Sequence, residues 1–431
     1  MQESFLHFIW QFQYFSKKDL TTSDGESINI VSPGVLNKDA GPDFSDTKIL
    51  IGNVRWFGHT EIHIHSSDWA KHFHDEDPAY ENVILHVVWK DDSQVKRKDG
   101  TLIPTLELKE RIEHSLIINW QKLLRSDNTI PCAQQIHQVK DLVKLSMMDK
   151  ALFERLQRKA NLILKKLEAN QNDWEETTYQ LLAGNFGFKI NSDFFLELSK
   201  ALPLKIVLKH QDNIFQIEAL IFGQAGFLSE GPDGIEEDNY FLSLQKEYLF
   251  LKHKYKLESF ILQQHWKFLR LRPANFPTIR LAQLSMLLHK TGAIFSFIKE
   301  MEDPKQIIPK LSVLQSSYWC KHYNFNNISN GKIPGIGKSS VENIIINTVV
   351  PVLAAYGMYR QEQMYIDRSI GLLQEVASEE NKIINFWKSA GIKASTAFDS
   401  QALIELYNNY CQQKKCLSCN IGTTLVKTSK N

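Results

Sequence analysis

The stretch Gly58-His59-Thr60-Glu61-Ile62-His63-Ile64-His65 alternates with the period of a β-strand. Successive side chains on a strand point to opposite faces, so His59, Glu61, His63 and His65 share one face, and Thr60, Ile62 and Ile64 the other. The second face can join a core. The first carries three imidazoles and a carboxylate in a row, which is poor packing material but has the composition of a metal or acid–base site.

Working outwards, Thr47–Ile51 reads as a strand ending at Gly52-Asn53, and Ser27–Val31 as another. Between them, Ser32-Pro33-Gly34 to Gly41-Pro42 is loop chemistry, and the aromatic-rich residues 3–15 form a short helix. Downstream, Ser66-Ser67-Asp68-Trp69 is a helix start capped by Ser or Asp. Val83–Trp89 is almost wholly apolar and is expected to be a strand buried on both faces. Lys98-Asp99-Gly100 is a hairpin turn between Gln94–Arg97 and Thr101–Leu108.

Past residue 110 the period changes. Val139–Asn170, Asp173–Ala183, Ser192–Ser199, Tyr240–Leu269, Thr278–His289, Lys305–Tyr318, Ser339–Tyr356 and Gln361–Glu375 repeat at helical spacing. The expected fold class is therefore α+β or α/β: a small N-terminal mixed-sheet domain followed by a larger, mainly α-helical region. The expected divisions are 1–110, a connection at 111–138, a helical domain at 139–320 and a C-terminal helical segment at 321–431.

Composition sets the outer bounds. A chain of 431 residues is too long for one small core. Its apolar share of 43% and charged share of 23% are those of a soluble globular protein. The net charge of +1 neither demands nor excludes a nucleic-acid partner, so only local patches can speak. No apolar run reaches bilayer length. Met1-Gln2-Glu3-Ser4-Phe5 lacks the basic start of a signal peptide. Five cysteines, three of them clustered at the far end, do not form a secreted disulfide framework. The expectation is a cytoplasmic protein with no membrane partner.

A second imidazole group follows the first strand, in Asp68-Trp69-Ala70-Lys71-His72-Phe73-His74-Asp75. His72 and His74, with Asp68 or Asp75, can complete a site begun on the His/Glu strand. His86 lies inside an apolar strand, where an unpaired imidazole is costly, so it needs a partner. His59, His63, His65, His72, His74 and His86 make six of the chain's 14 histidines. Such a set suits Zn²⁺, Fe²⁺ or Mn²⁺. The plain alternative is a hydrogen-bonded structural network or a solvated sheet face.

Pro42-Asp43, a strand, and then Glu61-Ile62-His63 in the next strand resemble the PD-(D/E)XK nuclease superfamily. The resemblance implies that Asp43 and Glu61 hold Mg²⁺ or Mn²⁺, with open water sites. The metal then activates water and stabilises a phosphoryl transition state. His63 stands where the family has Lys, and Lys48 is a candidate for a migrated amine. The implied catalytic set is Asp43, Glu61 and His63, and His59, His65, His72 and His74 join the candidate metal ligands.

Two signals lie near the end of the chain. Ile333-Pro334-Gly335-Ile336-Gly337-Lys338 followed by a helix resembles the hairpin of helix–hairpin–helix proteins. There the glycines let backbone N–H groups approach a DNA phosphate, so Gly335, Gly337 and Lys338 are the expected contacts. Asn324–Lys332 reads as loop where that motif has its first helix. Arg270 and Arg272, with Lys267 and Arg280, surround Pro273-Ala274-Asn275-Phe276-Pro277 and form a second candidate phosphate-contact segment. Cys411, Cys416 and Cys419 have C-x4-C-x2-C spacing, which suggests Zn²⁺ or an iron–sulfur cluster, with Cys320 or His322 as the fourth ligand. The basic face of 153–168 reads as solvated.

Together, Gly41-Pro42-Asp43-Phe44, Glu61-Ile62-His63, Ser67-Asp68-Trp69, Ile84-Leu85-His86-Val87-Val88, Arg272-Pro273-Ala274-Asn275-Phe276-Pro277 and the Cys416-Leu417-Ser418-Cys419 ending resemble a bacterial domain-of-unknown-function family, number 2851. That resemblance brings no activity. The residues point first to a metal-dependent nuclease-like protein acting on DNA. The alternatives are a non-catalytic nucleic-acid-binding or scaffold protein on a degenerate nuclease fold, and a His-rich Zn or Fe hydrolase of small molecules.

Overall fold

The structure is a computed structural model that describes residues 1–229, 238–258, 261–301 and 304–428. With 53% helix and 12% strand, it has the expected α+β class: a mixed sheet near the N-terminus, then a mostly helical region. The chain forms two compact units. The first is Met1–Met147 with Ser389–Ile392 and Leu406–Asn431; the second is Met148–Lys388 with Lys393–Glu405.

The first unit opens with helix α1 (Glu3–Phe12), whose Phe5, Leu6, Phe8, Ile9 and Trp10 are buried. The sheet follows: β1 (Ile28–Ser32), β2 (Val35–Leu36), β3 (Phe44–Ile51) and β4 (Val54–His65). After the short helix α2 (Asp68–Lys71) come β5 (Val83–Lys90) and β6 (Thr105–Glu107). Strand order is β1-β3-β4-β5-β6, with β2 also on β3. The β3–β4 pair is antiparallel and turns at Gly52, whose φ of +56° suits glycine. The β4–β5 and β5–β6 pairs are parallel, which requires a crossover, and residues 66–82 supply the first one. β4 is thus interior to the sheet, and β5 is buried from Val83 to Val88 as its unbroken apolar run requires.

Gly58 fixes how closely β4 and its neighbour approach. A Cβ there would stand 2.4 Å from Asn82 O and 2.6 Å from Ile84 Cγ2. Asn82 O is also the acceptor for His59 N–H. Gly58→Ala is therefore expected to cost about 2 kcal/mol or more through overpacking against backbone. A fall in the urea midpoint at unchanged m-value is the readout, and an unchanged midpoint would refute the packing argument.

The segment 111–138, expected as a connection, contains α3 (His114–Leu124). Its Leu116, Ile117, Trp120 and Leu123 are buried, and Trp120 stacks on Phe5 of α1 at 4.5 Å. Then comes α4 (Asp141–Ala169), and the unit boundary falls inside it.

In the second unit, the helix expected over Tyr240–Leu269 stops at Tyr255, closed by Lys256 at φ +51°. Residues 259 and 260 of that stretch lie outside the described residues. The helix expected over Lys305–Tyr318 ends at Leu311, and a β-hairpin (His322–Asn324 with Asn327–Ile328) follows. Ile214–Gln224 is a helix missed in the sequence because it is apolar nearly all round and so lacks a stripe. Among the described residues, the continuous helix Lys338–Arg360 is long and apolar enough to cross a bilayer, unlike the sequence expectation, and 72% of its apolar window is buried within the fold. Nor is the basic face of 153–168 simply solvated: Arg158 bonds Glu405, and Lys159 donates to Asn347 Oδ1 at 2.9 Å.

Candidate metal centre

Strand alternation places Glu61 and His63 on the same face of β4, and both are buried. The crossover then folds His72 and His74 over that face. His63 Nε2 lies 3.1 Å from His72 Nδ1. Glu61 Oε1 lies 3.6 Å from His63 Nε2 and 3.3 Å from His74 Nε2. Ligand atoms of His63, His72 and His74 all lie within 4.8 Å of one another. Two imidazole nitrogens on one tetrahedral ion, each about 2.05 Å from it, stand about 3.3 Å apart. The three imidazoles could therefore hold one divalent ion, with Glu61 Oε1 beside two of them.

Behind them lies a supporting layer. His63 Nδ1 and His86 Nε2 are 2.9 Å apart, which gives His86 the partner its burial demands. If His63 donates from Nδ1, its Nε2 lone pair faces the site, the usual arrangement behind a metal-binding imidazole. Burial first, and then the charges of His86, His74 and His72, lower the His63 pKa to about 3. Burial and His74 do the same to His86, again to about 3. Both rings are therefore neutral at physiological pH, as metal ligation needs. Trp69 packs edge-on against His63, His74 and His86. Tyr80 stacks on His74 at 3.8 Å. Burial, with Glu61 and Asp43 nearby, pushes the Tyr80 phenol up to about 12.

Asp43 reaches the site from the start of β3. Its N–H donates to Glu61 Oε2 at 2.9 Å, and its Oδ2 accepts from Ile62 N–H at 3.0 Å. The same oxygen is 3.1 Å from His7 Nε2 of α1. Asp43 thus lies beside the imidazole set and orients His7. Burial lowers the His7 pKa, but the Asp43 hydrogen bond and charge outweigh it, so the net shift is upward. Burial raises Glu61, and Asp43 adds to that rise. Glu3, one turn before His7, is also raised, by burial and then by Asp43. Sequence reading missed His7 and Glu3. The available signal was a histidine interrupting the apolar run Phe5-Leu6-His7-Phe8-Ile9.

The family model described as "Protein of unknown function (DUF2851)" matches residues 3–382. The chain belongs to this family. No curated protein and no solved structure matches the chain.

Within this family member, the remaining candidates are placed as follows. His65 turns to Asp68, with Nδ1 3.7 Å from Oδ2, and Asp68 also binds Lys71. His59 Nδ1 is buried without a hydrogen-bond partner, and neither His59 nor His65 belongs to the close imidazole group. Lys48 is exposed and pairs with Phe57, four residues along β3 from Phe44, so it brings no amine to Asp43 and Glu61.

In the second unit, Gly335 presses on the chain: a Cβ would meet Val313 O at 2.5 Å, and Ile336 N–H donates to that same oxygen. Gly337 and Lys338 are exposed at the start of a helix, and Lys338 Nζ is 3.8 Å from Glu342 Oε1. The β-hairpin upstream occupies the place of a first helix, so two helices do not flank this turn. Arg270 and Arg272 are exposed. Arg280 instead turns inward, stacked on Phe188 and bonded to Asn275, Gln283 and Ser340.

Cys411, Cys416 and Cys419 lie in the first unit and in no disulfide. Cys320 and His322 lie in the second unit and are engaged there. The Cys320 thiol donates to Gln315 O, and His322 stacks on Tyr318.

Proposed function

We propose that the protein is a metal-dependent hydrolase that cleaves phosphodiester bonds in DNA. The observation that carries this reading is the convergence of His63, His72 and His74 close enough to share one ion, with the Glu61 carboxylate beside His63 and His74. Three imidazoles favour Mn²⁺, Zn²⁺ or Fe²⁺ over Mg²⁺. Such an ion, held by His63, His72 and His74, would supply an activated water and stabilise charge on a phosphoryl oxygen.

The chain's own groups have distinct tasks in this reading. His86 holds the His63 ring in orientation. His7, backed by Asp43, stands beside the site as the group that takes a proton from water or gives one to the leaving oxygen. The phosphodiester substrate rests on the order of helix, Asp43 strand and Glu61 strand. The exposed Arg270, Arg272 and Lys338 are the candidates for DNA phosphate contact in the helical unit.

The test is cleavage of linear, circular and single-stranded DNA by the full chain with Mg²⁺, Mn²⁺, Zn²⁺ or Fe²⁺, with Glu61→Ala and Asp43→Ala alongside. Cutting that needs Mn²⁺, Zn²⁺ or Fe²⁺ and disappears in Glu61→Ala supports the reading. Tight metal binding with no cutting of any DNA would overturn the substrate and move it to small molecules. DNA binding with no metal at the site would overturn catalysis itself.

A further inference from the structure

Four of the five cysteines come from distant parts of the sequence into one place in the first unit. Cys132 sits in the turn after α3, where its carbonyl accepts from Gln135 and Ile136 N–H. Cys411 ends the turn Tyr407–Cys411, and Cys416 opens the turn Cys416–Ser418. Cys419 N–H donates back to Cys416 O. Gly422 presses on that turn, since a Cβ there would meet Cys416 O at 2.2 Å. The helix Asn420–Lys427 that follows packs on α3 and on Ile136–Gln138, just beyond Cys132. Lys414 Nζ reaches the carbonyls of Leu124 and Ser126, closing the loop over the end of α3.

The thiols share one environment. Cys132, Cys416 and Cys419 are each 8–9% exposed. Burial first, and then the neighbouring Cys419 and Cys416, push Cys132 up to about 12. Cys411 is raised by burial and then by Cys132, Cys419 and Cys416. Each of these two thiols therefore feels the other three cysteines of the group or two of them. Thiols raised in this way are poor nucleophiles, whereas a bound metal would deprotonate them.

Their spacing discriminates between metals. Four sulfurs around one Zn²⁺ at about 2.3 Å stand about 3.8 Å from one another. Among the described residues, the set of three ligand atoms within 4.8 Å of one another is the imidazole set, so no three thiols are gathered that tightly. A set wider than a one-zinc site is what a polynuclear centre requires, since there each thiolate binds a different iron.

We propose that Cys132, Cys411, Cys416 and Cys419 hold a four-iron iron–sulfur cluster that fastens the C-terminal segment to the N-terminal unit. Cys132, rather than Cys320 or His322, is the fourth ligand. Each thiol loses its proton to solvent as the preformed cluster binds, and no redox step is required.

The experiment uses the full chain, purified without oxygen and supplied with equal ferrous and ferric iron and with sulfide, so that the cluster forms with no net redox change, and assays iron, acid-labile sulfide and zinc. About four irons and four sulfides per chain are expected, with cluster absorbance in the visible. Cys132→Ser should lose at least a quarter of the iron, and Cys320→Ser should keep all of it. One zinc without sulfide, no metal after reconstitution, or full iron in Cys132→Ser would overturn the assignment. Should Cys132→Ser fail to fold, differential alkylation of the wild type decides. Cys132 should be protected with the other three until a chelator strips the iron, and labelling of Cys132 before stripping would sink its role.

Discussion

His72→Ala is expected to abolish high-affinity metal binding and to lower hydrolysis at least 100-fold while the fold stays intact. His72 is exposed, whereas the other two imidazoles of the set are buried or half-buried. Truncating it removes a ligand atom 3.1 Å from His63 Nε2 and leaves the core under it untouched. Loss of a supporting partner alone costs about 10- to 100-fold in metal affinity; loss of a direct ligand should exceed that. His65→Ala is the matched control, because His65 pairs with Asp68 on the same strand face and touches none of the set. Calorimetric metal titration and rate measurement on both variants check the result. Equal losses in His65→Ala, or none in His72→Ala, would remove the proposed ligand set.

The metal-free protein should unfold in mild acid. His63 and His86 have folded pKa values near 3, against an ordinary value of 6.5. Their unfolded forms take up protons below about pH 6.5, and their folded forms do so only near pH 3. The stability that depends on their neutrality is therefore present above pH 6.5 and is lost as pH falls towards 3. Two such groups give a slope of about 2.7 kcal/mol per pH unit in the middle of that window. Glu61, Glu3 and His7 act the other way, since a raised folded pKa favours the folded state as pH falls, so the net slope is smaller than the two imidazoles alone would give. Urea midpoints at pH 7 and pH 5 after chelation should differ strongly. His86→Phe should flatten the difference by about half, and a pH-independent midpoint would refute the buried-imidazole account.

The strand that carries the site was legible because a period of two is a strong signal, and it survives in residues 54–65. The row of four did not survive whole. Glu61 and His63 reach the site, while His59 and His65 lie nearer the ends of that row and find other surroundings. Which members of a face meet other elements depends on where the crossover returns, and that is a tertiary fact. His72 and His74 were legible as a cluster able to complete a site begun on the His/Glu strand; which imidazole of that strand they meet was not. His7 and Cys132 were hidden for one reason: each lies far along the chain from its partners, at a separation of 36 residues to Asp43 and 279 to Cys411, counted on the sequence. The basic segment around Pro273 shows the opposite case. Arg270, Arg272 and Arg280 look alike in sequence, but Arg280 lies in the buried first turn of the helix Pro277–Thr291 and faces inward.

The first unit is discontinuous, built from residues 1–147, the short stretch Ser389–Ile392 and a segment beginning at 406, with the helical unit threaded between them. Helix α1, which supplies His7, touches the turn Cys416–Ser418. During synthesis, therefore, the sheet and α1 leave the ribosome long before the turn that closes against them. The helical unit has its whole sequence available first, up to Glu405, and the domain begun first is completed last. Until then the side of α1 that meets the late segment stays uncovered, which leaves the nascent N-terminal unit open to misassembly while the helical unit is made.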